Sequence, residues 1–128
     1  MKRNVIDGVL ILEGVKKPVS GEPNKLTMRS KADTGAVHVT LDGVITSEMQ
    51  DDFADELLAY VSKGLNLRLN MEKVTYIAPA VIEKMIRLQC DYIERLGLEM
   101  LLVSMPQVLL EWFRKNHYSQ QFSIQRRI

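Results

Sequence analysis

Apolar and polar residues alternate strictly over three stretches of this chain. Leu26 and Met28 alternate with polar neighbours; Val37, Val39 and Leu41 alternate with His38, Thr40 and Asp42; Leu65, Leu67, Leu69 and Met71 alternate with Asn66, Arg68 and Asn70. A period of two predicts strands with one buried face and one face toward water. Ala32 to Gly35 separate the first two stretches, which predicts a hairpin. The third is followed by Val74-Thr75-Tyr76-Ile77 and a corner at Ala78-Pro79-Ala80. Residues 9–12 predict a short strand, and Gly14 to Asn24, with Pro18, Gly21 and Pro23, predict a loop. Met100 to Val103 are almost wholly apolar, as in a central strand covered on both faces, and Phe122 to Ile124 predict a final short strand.

The pattern changes to helical spacing in between. Ser47 opens the first such stretch, with Gln50 placed to complete a capping box, and Met49, Phe53, Leu57 and Val61 fall on one stripe. Gly64 follows at the usual stop position. From about Pro79 to Leu96, the residues Val81, Met85, Leu88, Tyr92 and Leu96 form a wide stripe flanked by Ile82, Ile86 and Ile93, and Gly97 ends it. Ser104 and Gln107 repeat the capping-box pattern before a third helix, whose buried side is read as Val108, Leu109, Trp112 and Phe113.

Strand, hairpin strand, helix, strand, helix, strand, helix implies parallel connections with right-handed crossovers after the hairpin. Strands that alternate rather than run apolar throughout imply helices mainly on one face. The expected fold class is thus α/β, a single domain with a mixed sheet. The sequence divides into an N-terminal extension over residues 1–24, strand plus loop, and a main domain over residues 25–128.

A chain of 128 residues with 46% hydrophobic and 26% charged residues suits one soluble globular core. The net charge of +1, with Lys and Arg interleaved among Asp and Glu, speaks against a nucleic-acid partner. Lys2-Arg3 and Arg126-Arg127 are too short to change that. Cys90 is the single cysteine, so neither an internal disulfide nor a multi-cysteine zinc site is expected, and a reducing cytoplasm is the natural setting. Asp7 and Gly8 split the early apolar run, which argues against a signal peptide. No stretch approaches the length of a membrane span.

Catalytic patterns are sparse. Ser104, His117 and Asp91 supply the residue types of a triad, as nearly any chain of this length would, and there is neither a Gly-x-Ser-x-Gly elbow nor a P-loop. The only histidines, His38 and His117, have no metal-ligand spacing, so no metal and no cofactor are expected. Trp112 and Phe113 beside Arg114 and Lys115 are better placed for packing than for stacking on bases. In open α/β sheets the strand-to-helix corner is the usual place for chemistry, because helix N–H groups and a partial positive charge face outward there. At Ala78-Pro79-Ala80 no side chain carries a nucleophile or a charge, and proline removes one N–H.

The segment Leu65 to Ile124, with its Val74-Thr75-Tyr76-Ile77 strand, corner, long helix, Leu101-Leu102-Val103 strand and Met105-Pro106-Gln107-Val108 helix start, resembles the STAS domain family of anti-sigma factor antagonists. Gly43-Val44-Ile45 before the first helix fits the same pattern, and the resemblance covers about residues 25–124. It implies a STAS-like domain acting as a cytoplasmic, bacterial, non-catalytic module of signal transduction and transcription regulation. Its protein partner would be an anti-sigma factor or another regulatory protein. The family's corner reads Asp-Ser-Ser/Ala-Gly-Leu where this chain has Ala78, Pro79, Ala80, Val81 and Ile82. The phosphoacceptor position is thus Pro79, which has no hydroxyl, and a commonly acidic position is Thr46.

The expected partner-binding edge comprises Thr46, Ser47, Gln50, Ala78, Pro79, Ala80, Glu83 and Arg87. At Ala78-Pro79-Ala80 an uncharged docking surface competes with a plain helix start, and Ser47 also reads as a simple N-cap. The rival class is a ligand-sensing or lipid-transporter accessory domain, using the polar stripe His38, Thr40, Asn66, Arg68 and Asn70 beneath a folded-over N-terminal segment. No membrane insertion is expected. Homodimerisation is a further expectation, through an unpaired edge at Val9 to Leu12.

Overall fold

The computed structural model describes residues 1–16 and 21–125. Pro18, from the loop reading, and Arg126-Arg127 lie outside them. Seven strands form one sheet: β1 (Lys2–Ile6), β2 (Val9–Lys16), β3 (Pro23–Asp33), β4 (Ala36–Ile45), β5 (Asn66–Ile77), β6 (Met100–Val103) and β7 (Ser123–Gln125). They lie side by side in chain order, antiparallel from β1 to β4 and parallel from β4 to β7. The three connections between parallel neighbours carry α1 (Gln50–Ser62), α2 (Pro79–Leu88) and α3 (Gln107–Lys115). Crossovers of one hand on a strand order that never reverses put the helices on a single face. The mixed α/β architecture predicted from the sequence is thus the observed one.

Alternation settles which side chains make the core. Val37, Val39 and Leu41 of β4 and Leu67, Leu69 and Met71 of β5 are all buried, against Phe53, Leu57 and Val61 of α1. β5 is one continuous strand of 12 residues. Its register against β4 slips twice, so that Thr40↔Asn70 is followed by Asp42↔Lys73, and Gly43↔Val74 by Val44↔Tyr76. Each slip adds one residue to β5, a bulge. The spacing of inward residues thereby changes from two to three, and Val74 and Ile77 reach the core alongside Met71.

The N-terminal segment departs from its reading. Asp7 and Gly8, which split the early apolar run, form a two-residue hairpin turn with φ of 51° and 77° that joins β1 to β2 through the pair Ile6↔Val9. Gly14 lies within β2, and Pro23 opens β3. β2 contributes Leu10 and Leu12 to the core and is paired on both sides, so Val9 to Leu12 offer no free edge. The free edge on this side is β1. Both strands extend the sheet beyond β3 instead of folding over its polar face.

The helices show three further corrections. Neither serine caps. Ser47 is the first residue of a 3₁₀ turn (Ser47–Met49) whose N-cap is Thr46, and α3 is preceded by Pro106, not Ser104. After Leu88 the chain widens into a π-helical segment, Gln89–Ile93. That extra residue per turn rotates the later positions, so Ile93 is buried while Tyr92 and Leu96 face water. In α3 the buried side chains are Leu109, Leu110 and Phe113; Trp112 is half-buried and Val108 is 81% exposed. The apolar run Met100 to Val103 lies one strand from the edge, yet only Leu101 is not fully buried.

Candidate functional site

The corner begins where β4 and β5 end together. Ile45 and Ile77 are the last ladder pair, and the Ala78 N–H donates to the Ile45 carbonyl at 2.8 Å. This bond places Thr46 next to Ala78. On the helical side Lys84 Nζ meets Asp51 Oδ1 at 3.0 Å, linking α2 to α1. The structure therefore brings the two halves of the expected partner-binding edge into one surface. Ser47, Pro79, Glu83 and Arg87 are exposed on it, Thr46, Gln50 and Ala80 are half-buried, and Ala78 is buried.

Chemically the corner is quiet. Ala78, the N-cap of α2, has no side chain to cap with, and Pro79 at the first helical position brings no N–H. The N–H groups of Val81 and Ile82 both donate to the Ala78 carbonyl, at 3.0 and 3.2 Å. That leaves Ala80 to offer its amide outward, too little for the cradle that holds a phosphate at a helix start. The Thr46 hydroxyl oxygen is buried and has no hydrogen-bond partner among the described residues. Behind the 3₁₀ turn, the Glu48 carboxylate accepts the N–H of Val15 and lies directly over Gly14, where no larger residue would fit without moving it. β2 is thus clasped to the turn that carries Thr46 and Ser47.

The polar stripe converges more than its spacing alone indicates. His38, Thr40, Arg68 and Asn70 meet Val103 and Gln125, from β6 and β7, around a hollow of about 100 Å³ on the helix-free face. Asn66 lies outside this hollow and lines a more open one beside it with His38 and Arg68; its side chain donates to the Gly35 carbonyl and accepts from the Glu99 N–H, securing the β3–β4 turn. His38 Nε2 is 2.9 Å from Asp33 Oδ2 at the same end. Ser104, His117 and Asp91 share no hydrogen bond, and Ser104 uses its backbone N–H on Gln125. Cys90 is exposed in the π-helical segment. Among the described residues no group of His, Cys, Asp or Glu is arranged to hold a metal, and no helix is long and apolar enough to cross a membrane.

One feature escaped the sequence reading. A cleft of about 490 Å³ separates the last residues of β5 from the start of α3, with Tyr76, Val108 and Trp112 on its walls. The signal was present in the lengths: a 12-residue strand beside a four-residue apolar run must overhang it.

No protein-family model and no curated protein matches the chain. Solved structures do. An anti-sigma factor antagonist from Mycobacterium paratuberculosis aligns with a TM-score of 0.66 at 13% identity, over 86% of this chain and 89% of that one. The anti-sigma factor antagonist SpoIIAA in its unphosphorylated form aligns with a TM-score of 0.56 at 10% identity, over 68% and 81%. An uncharacterised protein with a SpoIIAA-like fold from Shewanella loihica aligns with a TM-score of 0.50 at 6% identity, over 89% and 85%. The chain therefore has the STAS-like fold of the anti-sigma factor antagonists.

Proposed function

We propose that this protein is a non-catalytic, cytoplasmic regulatory module that binds a protein partner through the joined edge of Thr46, Ser47, Gln50, Ala78, Pro79, Ala80, Glu83 and Arg87. The observation that carries the reading is the pairing of Ala78 with Ile45, which fixes two helix starts side by side as a surface whose centre, Ala78-Pro79-Ala80, has no charge. Solved structures of the same fold bear the description anti-sigma factor antagonist. A regulatory partner of that kind suits an edge with no catalytic group. Pro79 offers no hydroxyl, so phosphate at that position does not govern binding here. In this reading the bacterial setting and a role in transcription come with the partner.

The test is affinity capture from the host extract with the wild-type chain and with Ala80→Asp. A charge introduced at half-buried Ala80, beside the helix start, should abolish capture of the specific partner while circular dichroism and thermal unfolding stay native-like. Undiminished capture by the folded variant rules this surface out.

The meeting of His38, Thr40, Arg68 and Asn70 with Gln125 favours a second reading, a domain that senses a small polar ligand on the open sheet face. It separates from the first by thermal stabilisation with a small molecule in the absence of any protein.

A further inference from the structure

β6 leaves the side of β5 at the pair Asn70↔Val103. Past that point residues 72–77 keep β4 on one side, from Asp42↔Lys73 to Ile45↔Ile77, and have no strand partner on the other among the described residues. The cause lies at Ser104. Its backbone is left-handed, with φ of 58°, and its N–H donates to the Gln125 carbonyl at 2.9 Å, so the chain swings toward β7 before Pro106 starts α3. The line that a longer β6 would follow is the cleft of about 490 Å³.

Its sheet wall is Val74, Tyr76 and Ile77, and its helix wall is Val108, Leu109 and Trp112. Val108 and Tyr76, 81% and 47% exposed, are large apolar side chains left facing water at its rim. Glu72 is the one charged residue on the walls, and it has no ion-pair partner among the described residues.

We propose that this cleft binds an extended peptide segment of a partner protein, added to the sheet along the free edge of β5, with an apolar side chain against Val108 and Trp112 and a basic residue beside Glu72. The Glu72 N–H is taken by the Asn70 side chain at 3.0 Å, and from Lys73 to Ile77 the edge presents N–H and C=O groups over about 15 Å, which another extended backbone pairs in register along that length. A compact apolar molecule would cover the walls and leave the edge unpaired. The sign of the charge follows from Glu72. The site lies on the far side of Ile77 from Thr46 and stands or falls without the corner surface.

The probe is a set of labelled octapeptides that alternate Thr with Val or Leu and carry Arg at the first or the last position. They are titrated into the full chain and followed by fluorescence anisotropy and amide chemical shifts. The expected result is saturable binding with shifts centred on residues 72–77 and Val108, lost when alternate peptide amides are N-methylated. Val108→Asp should weaken it about tenfold or more, by placing a charge against the apolar side chain. Glu72→Lys should shift preference to peptides carrying Glu in place of Arg. Both positions are exposed, so neither change threatens the fold. Binding should persist in Ala80→Asp, which separates this site from the corner. Absence of saturable binding by every peptide at millimolar concentration overturns the proposal, and so does binding indifferent to N-methylation or to Val108→Asp.

Discussion

The Ala78 N–H reaches the Ile45 carbonyl at 2.8 Å, one step beyond the last ladder pair of β4 and β5. This bond continues the sheet across the point where both strands turn into helical segments. The surface on either side of it is consequently set by the sheet, with no dependence on a side-chain cap, since neither Thr46 nor Ala78 caps the turn that follows it.

The same geometry traps the Thr46 hydroxyl, buried and without a partner among the described residues. Leaving a buried polar group unsatisfied costs about 1–3 kcal/mol, whereas replacing it with an apolar group of the same shape removes the penalty. Thr46→Val should therefore raise stability by about 1 kcal/mol, or roughly 3–5 °C in Tm for a domain of this size. Thr46→Ser, which keeps the hydroxyl and loses a methyl group, should not. A Tm for the valine variant equal to or below wild type would show that the hydroxyl is satisfied in solution.

Gly14 and Glu48 act as a pair. A methyl group at Gly14 would occupy the place of the Glu48 carboxylate and push it off the Val15 N–H. Gly14→Ala and Glu48→Ala should each cost about 1–2 kcal/mol, the value of a hydrogen bond to a charged group near the surface. In the double variant the second substitution should cost almost nothing, a coupling of about 1 kcal/mol or more. Additive losses in urea unfolding would mean that the clasp does not set the stability of β2. Gly43 is different, because a side chain there would meet the Lys25 backbone carbonyl, which cannot swing aside, and φ is 119°.

Much of the sheet was readable because β4 and the first half of β5 bury one face each, so a period of two appears directly in Val37, Val39, Leu41 and Leu67, Leu69, Met71. Gly64 and Gly97 end their helical segments with φ of 78° and 69°, the conformation for which glycine is suited. What escaped was set by relations between elements. Ser104 carries a capping-box pattern, yet its bond to Gln125 holds it in the β6–β7 connection three residues before α3. Val108 has helical spacing for the core, but β6 stops short and leaves it beside a cleft. Thr46, Ser47 and Ala78 could be placed at neighbouring strand ends from the order of elements; the bond that joins them is visible only in three dimensions.

The π-helical segment makes a prediction opposite to simple periodicity. Straight helical spacing from Leu88 puts Tyr92 and Leu96 in the core, whereas here Ile93 is fully buried and both of the others are exposed. Ile93→Ala should cost about 2–5 kcal/mol and Tyr92→Ser less than about 0.5, as expected for a cavity and a surface change respectively. Chemical denaturation of the two variants checks the order. A reversed order would mean that the segment is a regular helix in solution.

β1 is held differently from the rest of the sheet. None of its five residues is buried, and its links to α1 are Arg3 to Asp52 at 4.0 Å and to Glu56 at 3.9 Å, partly exposed pairs of a kind that contribute little. Its position therefore depends on ladder bonds to β2 and on the Asp7-Gly8 turn. Gly8 has φ of 77°, so an alanine there would carry a left-handed backbone at a cost of about 1 kcal/mol. Because β1 buries nothing, that cost should appear as local opening instead of global unfolding. In Gly8→Ala the β1 amides should exchange with solvent about fivefold faster, while amides of β4 and β5 and the Tm stay close to wild type. If the β4 and β5 amides accelerate by the same factor, β1 unfolds with the core, and the hairpin belongs to the cooperative unit of the sheet.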